Sequence, residues 1–382
     1  MQVLLITHPS FSHAAQLIEL ARALEQNGHR VRMAAPPRFA ASLGRHGLDA
    51  HPVGRDWELR RGDPVFDVTV GQRDIFGFAH VPDRAGIDGL AALAERTKPD
   101  LIVREYTEFA GWAVARKLGI PFATQGFVHR LPGPVEQALA DASGRVAELA
   151  DIEPAIDMDD LIGAVYLDPV PPGFRAPWEH DGMPRVLVRP SIFDGAGSTP
   201  APDWLARLGR SRPLVYITFG TVYMDVPRLW DTVFAAVANL DADCVVTTGR
   251  MDPAALPSAP ANVRSERYIP QSHVLARATA IVCHAGFNTL IGAFAAGVPA
   301  LCLPMDADQP LNATCCAAAG AGVNGANAPA RDPRGPRVDP ETLTPDAIAE
   351  SITQLITVPT YRQRAAVLAN QIASMPARGD HP

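Results

Sequence analysis

The feature that most constrains the fold is an alternation of short apolar runs with helical repeats that end at glycine. The strand-like run at 3–6 precedes leucines and alanines at helical spacing, and Gly28 ends that helix before a second strand at 31–35. Continuous apolar runs of this length are typical of strands buried in a parallel sheet. Strand, helix and strand in so few residues predict a right-handed βαβ unit.

The same alternation recurs later in the chain. Residues 101–103 form a strand-like run, and 109–118 have the spacing of a helix that Gly119 ends. Further strand-like runs fall at 214–218, 244–247, 280–283 and 300–303. Between the halves, residues 190–213 are rich in proline and glycine and lack periodicity, as linkers usually do.

The length and composition are those of two globular domains. The chain has 382 residues, about two to three times a typical domain. Because 47% of its residues are hydrophobic, it can bury large cores. We therefore predict an α/β fold of two doubly wound, Rossmann-like domains. The predicted bounds are 1–195 for the first domain, 196–212 for a linker and 213–382 for the second domain.

The charge and cysteine patterns limit the partners and the compartment. The net charge of −7, without any basic run, argues against nucleic acid or a membrane surface as partner. Residues 278–305 carry no charge and are long enough to cross a bilayer, but glycine and proline divide them into strand, turn, helix, turn and strand. The five cysteines lack CxxC spacing, and no secretory signal precedes the first strand, so we expect buried thiols in a cytoplasmic protein. The sequence does not determine the oligomeric state and is compatible with a homodimer.

The most informative segment follows the predicted strand at 280–283. This strand ends in a turn that contains His284 and Gly286, and a helix opens near Asn288. A helix start presents unpaired backbone N–H groups and the positive end of the helix dipole, which suits a diphosphate. His284, Asn288 and Thr289 stand where their side chains could donate to phosphate oxygens.

The strand at 300–303 delivers Asp308 and Gln309 to the same edge of the sheet. A carboxylate beside an amide suits recognition of adjacent sugar hydroxyls, although both residues could instead cap the helix at Pro310. A phosphate site next to a hydroxyl site predicts a nucleotide-sugar donor.

This segment resembles the donor signature of family 1 glycosyltransferases with the GT-B fold. The shared features are His-x-Gly-x-Asn-Thr at 284–289, Gly-Val-Pro at 297–299 and Asp-Gln-x-x-Asn-Ala at 308–313, at that family's spacing. Residues 249–253 and 262–264 further resemble the actinobacterial branch that glycosylates antibiotics and other secondary metabolites. The resemblance covers about residues 1–375 and implies two Rossmann-like domains that face each other across a cleft.

The resemblance also implies roles for residues in both domains. In the first domain, His13 matches the general base, and Glu105 matches the acidic residue, usually Asp, that pairs with it. In the second, Tyr268 matches the aromatic residue that stacks on the nucleotide base. The donor-binding residues predicted in this way, together with those above, are Thr218, Gly220, Thr221, Tyr268, His284, Gly286, Asn288, Thr289, Asp308 and Gln309.

The implied reaction is an inverting displacement at the anomeric carbon, with a hydroxyl of a small apolar natural product as acceptor. An imidazole pKa near 6.5 suits His13 as the base, and Glu105 would fix its tautomer. Because no Asp-x-Asp triplet is placed for Mn²⁺ or Mg²⁺, we expect neither a metal nor another cofactor. Residues 54–86 are predicted to bind the acceptor through four aromatic side chains: Trp57, Phe66, Phe76 and Phe78.

The sequence departs from the family pattern in three places. Gly292 stands where members that use UDP-sugars commonly have a Glu that accepts the ribose hydroxyls, so we expect a dTDP-sugar donor. Gln16 replaces the proline that is usual three residues after the base. The sequence stops at Pro382, where the family has a further helix, so we expect looser domain closure.

Several alternatives stay open at this stage. His8 is a second candidate base, and Glu105 could form a structural pair with Arg104 or Arg130. The protein could also be a catalytically silent glycosyltransferase-like auxiliary or activator. A dinucleotide-dependent oxidoreductase fits poorly, because residues 7–13 contain no glycine for a G-x-G-x-x-G turn.

Overall fold

The protein consists of two compact α/β units. The computed structural model describes residues 1–57, 83–126, 129–130, 133–176, 185–192, 194, 199–221, 226–330 and 333–378. Of these, residues 1–170, 185–191 and 375–378 form the first unit, and residues 171–176 and 192–374 form the second.

The first unit is a parallel sheet with helices in the connections between its strands. Its elements in chain order are β1 (Gln2–Ile6), α1 (Phe11–Gln26), β2 (Arg30–Ala35), α2 (Pro37–Arg45), β3 (Ala50–Pro52), α3 (Arg84–Thr97), β4 (Leu101–Glu105), α4 (Phe109–Leu118), β5 (Phe122–Gln125), α5 (Gly133–Ala150), α6 (Met158–Ile162), β6 (Tyr166–Asp168) and β7 (Arg185–Leu187). The strand order is β3-β2-β1-β4-β5-β6-β7, with all neighbours parallel. The central strands β1 and β4 are buried along most of their length, as their apolar runs predict.

The second unit repeats this architecture. Its elements are β8 (Leu214–Thr218), α7 (Pro227–Val237), β9 (Asp243–Thr247), β10 (Val263–Glu266), α8 (Gln271–Leu275), β11 (Ala280–Cys283), α9 (Phe287–Ala295), β12 (Ala300–Cys302), α10 (Gln309–Ala318), β13 (Gly322–Asn324), α11 (Pro345–Thr357) and α12 (Pro359–Ser374). The order is β10-β9-β8-β11-β12-β13, again parallel throughout. The predicted α/β class with two doubly wound sheets is confirmed.

The unit bounds differ from the expected ones at residues 171–176, at the linker and at the C-terminus. Residues from 192 onward pack with the second unit: the backbone N–H of Ser272 donates to Asp194 Oδ2 at 2.8 Å, and Arg277 donates to the carbonyls of Ala206 and Leu208. The segment that begins at Met375 belongs to the first unit, within which Arg189 N donates to the carbonyl oxygen of Pro376 at 2.8 Å.

Two further expectations concern burial. Within the described residues no helix is both long enough and apolar enough to cross a membrane, and the uncharged stretch at 278–305 forms β11, α9 and β12. The five cysteines are free and buried, as expected.

Candidate active site

The loops that leave β1 and β4 meet at the point where the strand order of the first sheet reverses. β1 pairs with β2 on one side and with β4 on the other, so the following connections run in opposite directions. Ligands of doubly wound sheets bind outside the carboxyl ends of the strands at such a point. His8 follows β1, His13 lies in the first turn of α1, and Glu105 is the last residue of β4.

These elements bring His13 and Glu105 into direct contact. His13 Nδ1 lies 3.3 Å from Glu105 Oε1, and both side chains are almost fully buried. The structure therefore places the predicted base beside its predicted partner. An imidazole whose one nitrogen faces a carboxylate is oriented so that the other nitrogen can take a proton.

His8 approaches the other oxygen of the same carboxylate. Its Nε2 lies 3.4 Å from Glu105 Oε2 and 3.1 Å from the hydroxyl oxygen of Thr107. Thr107 donates to Glu105 Oε2 through its hydroxyl at 2.9 Å and through its backbone N–H at 3.0 Å. One buried carboxylate is thus shared by two imidazoles, an arrangement that the sequence did not reveal.

The ionised form of the Glu105 carboxylate is stabilised by its imidazole neighbours. Burial raises its pKa, but His13, His8 and the hydrogen bond from Thr107 outweigh that effect and lower the pKa below its ordinary value. Arg104 directs its guanidinium to backbone carbonyls, among them those of Glu105 and Leu161, and Arg130 pairs with Glu136. Both guanidinium groups are thus engaged with other partners. Burial lowers the pKa of Arg104, and the charge of Glu105 is among those that oppose this in part.

The same three side chains could also hold a metal ion. One ligand atom each from His8, His13 and Glu105 lie within 4.8 Å of one another, and no other group of this kind occurs in the described part of the chain. Two imidazoles and a carboxylate are a ligand set that transition metals accept.

Part of the predicted acceptor site lies beside His8. Trp57 and His8 line a cavity at the carboxyl ends of β1 and β2, and their ring centroids are 5.3 Å apart in an edge-to-face arrangement. Its other polar lining residues include Glu108, Asp83 and Arg55. The other predicted acceptor residues, Phe66, Phe76 and Phe78, lie outside the described residues.

The predicted donor residues gather at the equivalent point of the second sheet, between β8 and β11. Thr218 ends β8, Gly220 and Thr221 follow it, and His284 follows β11. A Cβ on Gly220 would lie 2.8 Å from the imidazole of His284, and one on Gly286 would lie 2.4 Å from its Nε2. Glycine at both positions therefore makes room for the ring.

Burial lowers the pKa of His284 to about 4, and the backbone of Thr218 opposes this only in part. The imidazole is therefore neutral at neutral pH and carries one N–H. A neutral ring of this kind can donate its single N–H to one acceptor at a time, either the backbone of Thr218 or a phosphate oxygen.

The helix that follows His284 starts at a constrained turn. Ala285 has φ of 64°, an uncommon conformation for a residue other than glycine, and its carbonyl accepts from Asn312 Nδ2 at 2.9 Å. Asn288 and Thr289 lie in the first turn of α9, as predicted. Strained backbone of this kind is frequent at binding sites, and the sequence gives no signal for it.

Asp308 and Gln309 hold loops at this edge of the sheet. Asp308 Oδ2 accepts from the backbone N–H of Phe287 at 3.3 Å and from Asn312 Nδ2 at 2.6 Å, so its carboxylate supports the start of α9. It does not cap α10 with its side chain. Gln309 is buried, and its Oε1 accepts from the backbone N–H groups of Met305 and Asp306.

The predicted base-stacking residue lies next to α8. The side chain of Tyr268 is 55% exposed, and its hydroxyl donates to the carbonyl of Asp194. Gln271, which is not among the predicted donor residues, donates from Nε2 to the carbonyl of Asn288 at 3.4 Å. A Cβ on Gly292 would lie 2.4 Å from that nitrogen, so Gln271 occupies the space beside Gly292.

Comparison with known proteins bears on both units. The sequence matches the family described as erythromycin biosynthesis protein CIII-like, with its N-terminal domain over residues 60–220 and its C-terminal domain over residues 231–380. L-demethylnoviosyl transferase of Streptomyces niveus is 30% identical over 337 residues, which cover 85% of each chain. Erythronolide mycarosyltransferase of Saccharopolyspora erythraea is 27% identical over 425 residues, covering 98% of this chain and 96% of the relative.

A solved structure, that of the glycosyltransferase VinC in complex with dTDP, has a similar fold. It aligns with a TM-score of 0.78 at 26% identity and covers 100% of this chain and 97% of its own. The chain thus belongs to the erythromycin biosynthesis protein CIII-like family and is a glycosyltransferase with the GT-B fold.

Proposed function

We propose that this glycosyltransferase moves a sugar from a dTDP-sugar to a hydroxyl group of a small apolar natural product, with inversion at the anomeric carbon and without a metal. The relatives support the class of reaction, since their names describe sugar transfer to molecules such as erythronolide. The dTDP bound to VinC supports the donor class.

The observation that carries the proposal is the contact of 3.3 Å between His13 Nδ1 and Glu105 Oε1. In the proposed step, the remaining ring nitrogen of His13 removes the proton of the acceptor hydroxyl as its oxygen attacks the anomeric carbon. Glu105 stays ionised because its pKa is lowered, so it stabilises the imidazolium that forms. His8 competes for the same carboxylate, but it approaches the oxygen that also accepts from Thr107.

The leaving nucleoside diphosphate would be bound at the start of α9. The dipole of this helix and the backbone N–H groups of its first turn favour negative charge, and His284 and the loop after Thr218 would add neutral donors. Asp308 lies at the same helix start. Its carboxylate would repel a phosphate group but can accept hydrogen bonds from sugar hydroxyls. We assign it to the sugar.

Donor preference would be set beside Gly292. An acidic side chain at this position could accept the ribose hydroxyls, but glycine offers no acceptor and Gln271 fills the adjacent space. A 2′-deoxyribose lacks one hydroxyl and loses less at such a site. We therefore propose dTDP over UDP.

Two measurements test the proposal. In the first, dTDP and UDP are compared in a thermal-shift titration, where a ligand at about a hundred times its dissociation constant stabilises the fold by about 2.7 kcal/mol. Tighter binding of UDP would refute the donor assignment.

In the second, dTDP-glucose is incubated with the protein and a panel of hydroxylated macrolactones and aromatic polyketides, with water as the default acceptor. NMR of the product should show an inverted anomeric centre. A retained configuration would refute the displacement, and the absence of both transfer and donor hydrolysis would refute the proposed function.

A further inference from the structure

One arginine joins the two elements that carry His13 and Glu105. Arg378 lies in the C-terminal segment of the first unit and is partly buried. Its Nη1 donates to Gln125 Oε1 at 2.6 Å, and its Nη2 donates to Gln16 Oε1. Both hydrogen-bond partners are neutral amides. Burial lowers the pKa of Arg378 to about 10, and the charge of Glu19 opposes this in part.

The first amide is tied to the helix of the proposed base. Gln16 lies one turn after His13 in α1 and is buried. It accepts from the backbone N–H of Ser191 at 2.9 Å and directs its own Nε2 to the carbonyl of the same residue at 3.4 Å. Proline, which the resembled family usually has at this position, offers no side-chain acceptor for a guanidinium.

The second amide is tied to the strand next to Glu105. Gln125 is the last residue of β5 and is the register partner of Glu105 in β4. Its carbonyl accepts from the backbone N–H of Tyr106 at 3.1 Å, directly after Glu105. Arg378 therefore contacts one residue on the helix that carries His13 and one residue on the strand that pairs with the strand of Glu105.

We propose that Arg378 is a positioning residue that fixes the distance between His13 and Glu105 by linking α1 to β5. Hydrogen bonds from a charged donor are stronger than those between neutral groups, so two of them can hold the helix against the strand. The inference rests on the proposed function, because it concerns the geometry of the proposed base.

The test compares Arg378→Ala with Arg362→Ala, which removes the same side chain from an exposed position on α12. A displacement of about 1 Å can cost roughly a hundredfold in rate. We expect the kcat of Arg378→Ala for sugar transfer from dTDP-glucose to be lower than that of the wild type by about tenfold to a hundredfold. The KM of the donor and the affinity for dTDP should be unchanged. Arg362→Ala should match the wild type, and guanidinium ion at a non-denaturing concentration should restore part of the kcat of Arg378→Ala.

A double variant separates positioning from general stability. If Arg378 acts through His13, Arg378→Ala should cause no further loss of kcat in a His13→Ala background. An equal loss in that background, or an unchanged kcat in the single variant, would overturn the inference. A wild-type protein that transfers no sugar would instead overturn the proposed function.

Arg378→Lys covers the case in which the alanine variant fails to fold. It keeps the charge but lacks the planar fork that reaches two amides, so it should fold and show an intermediate kcat. If both variants unfold, Arg378 is a stability residue and the positioning role is wrong. The imidazole N–H resonance of His13 gives a readout independent of turnover, and it should shift in Arg378→Lys but not in Arg362→Ala.

Discussion

At the residue scale, the carboxylate of Glu105 divides its two oxygens between His13 and His8. Oε1 faces His13, while Oε2 faces His8 and accepts from Thr107. Motif matches in the sequence predict His13, His8 and Glu105 as separate candidates. That both rings share one carboxylate depends on side-chain torsions and on the register of β1 and β4, which no spacing encodes.

A second buried carboxyl group, just after the carboxyl end of β4, makes the stability of the protein depend on pH. Glu108 caps α4 by accepting from the backbone N–H groups of Ala110 and Gly111, and burial raises its pKa from 4.5 to about 7. The folded state therefore binds a proton between these two values that the unfolded state has released. The contribution of Glu108 to stability is largest below about pH 4.5 and is lost as the pH rises through about 7.

Urea unfolding at about pH 5 and about pH 8 tests this dependence. The free energy of unfolding of the wild type should fall by an extra amount, on the order of 2 kcal/mol, relative to Glu108→Gln over this interval. Glu95→Gln, at an exposed position on α3, should keep the wild-type dependence. Parallel curves for the wild type and Glu108→Gln would show that this carboxyl group does not titrate as described.

At the element scale, the turn between β11 and α9 is built around the ring of His284. Gly220 and Gly286 leave space for the ring, and Ala285 adopts a positive φ to direct the following helix. The Gly-containing turn and the helix start could be predicted from the motif at 284–289. The strained Ala285 and the use of Gln309 to hold the loop after β12 could not, because both depend on contacts between distant segments.

Adding a methyl group at this turn should weaken donor binding. In Gly286→Ala the new Cβ would lie 2.4 Å from His284 Nε2, so the ring or the helix start must move. We expect the affinity for dTDP to fall at least about tenfold, because a charge-assisted hydrogen bond is worth roughly 1.5–3 kcal/mol. Isothermal titration calorimetry measures this loss.

Gly144→Ala is the matched control. Gly144 lies in α5, and a Cβ there would have no neighbour within 4 Å, so dTDP binding should be unchanged. If both variants bind dTDP like the wild type, His284 and the start of α9 do not form the phosphate site.

The segment at 326–340 shows a further limit of sequence patterns at this scale. Its composition predicts an exposed loop, but Arg334 and Arg337 are only 3% and 5% exposed, and Arg337 Nη1 donates to Asp306 at 2.8 Å. These two residues of the segment are therefore buried, contrary to what its composition predicts. Charged side chains are rarely buried unless they are paired. The partner of Arg337 is Asp306, which lies 31 positions earlier in the sequence.

At the scale of the whole molecule, each unit places its candidate residues where the strand order of its sheet reverses. In the first unit these residues are His8, His13 and Glu105, and in the second they are Thr218 and His284. Strand and helix periodicity was sufficient to predict two such sheets. The first residues from 192 and those from 375 were expected in the other unit, because the sequence there lacks periodicity and the unit to which it belongs depends on tertiary hydrogen bonds.

A reaction without a metal predicts that chelation has no effect. Because neutral donors and a helix start are proposed to stabilise the leaving diphosphate, dialysis against EDTA should leave kcat and the KM of the donor unchanged. Loss of activity that Mg²⁺ or Mn²⁺ restores would contradict this part of the proposal. Inhibition by added Zn²⁺ would not, since His8, His13 and Glu105 offer ligand atoms that the ion would occupy in place of a proton.

The most direct test of the proposed mechanism is the rate of sugar transfer from a dTDP-sugar by His13→Ala, with His8→Ala as the comparison. A positioned general base contributes typically about 10²–10⁴-fold. We predict that His13→Ala loses kcat by such a factor while binding dTDP like the wild type, and that His8→Ala loses far less. A His13→Ala variant that transfers sugar at the wild-type rate would contradict it.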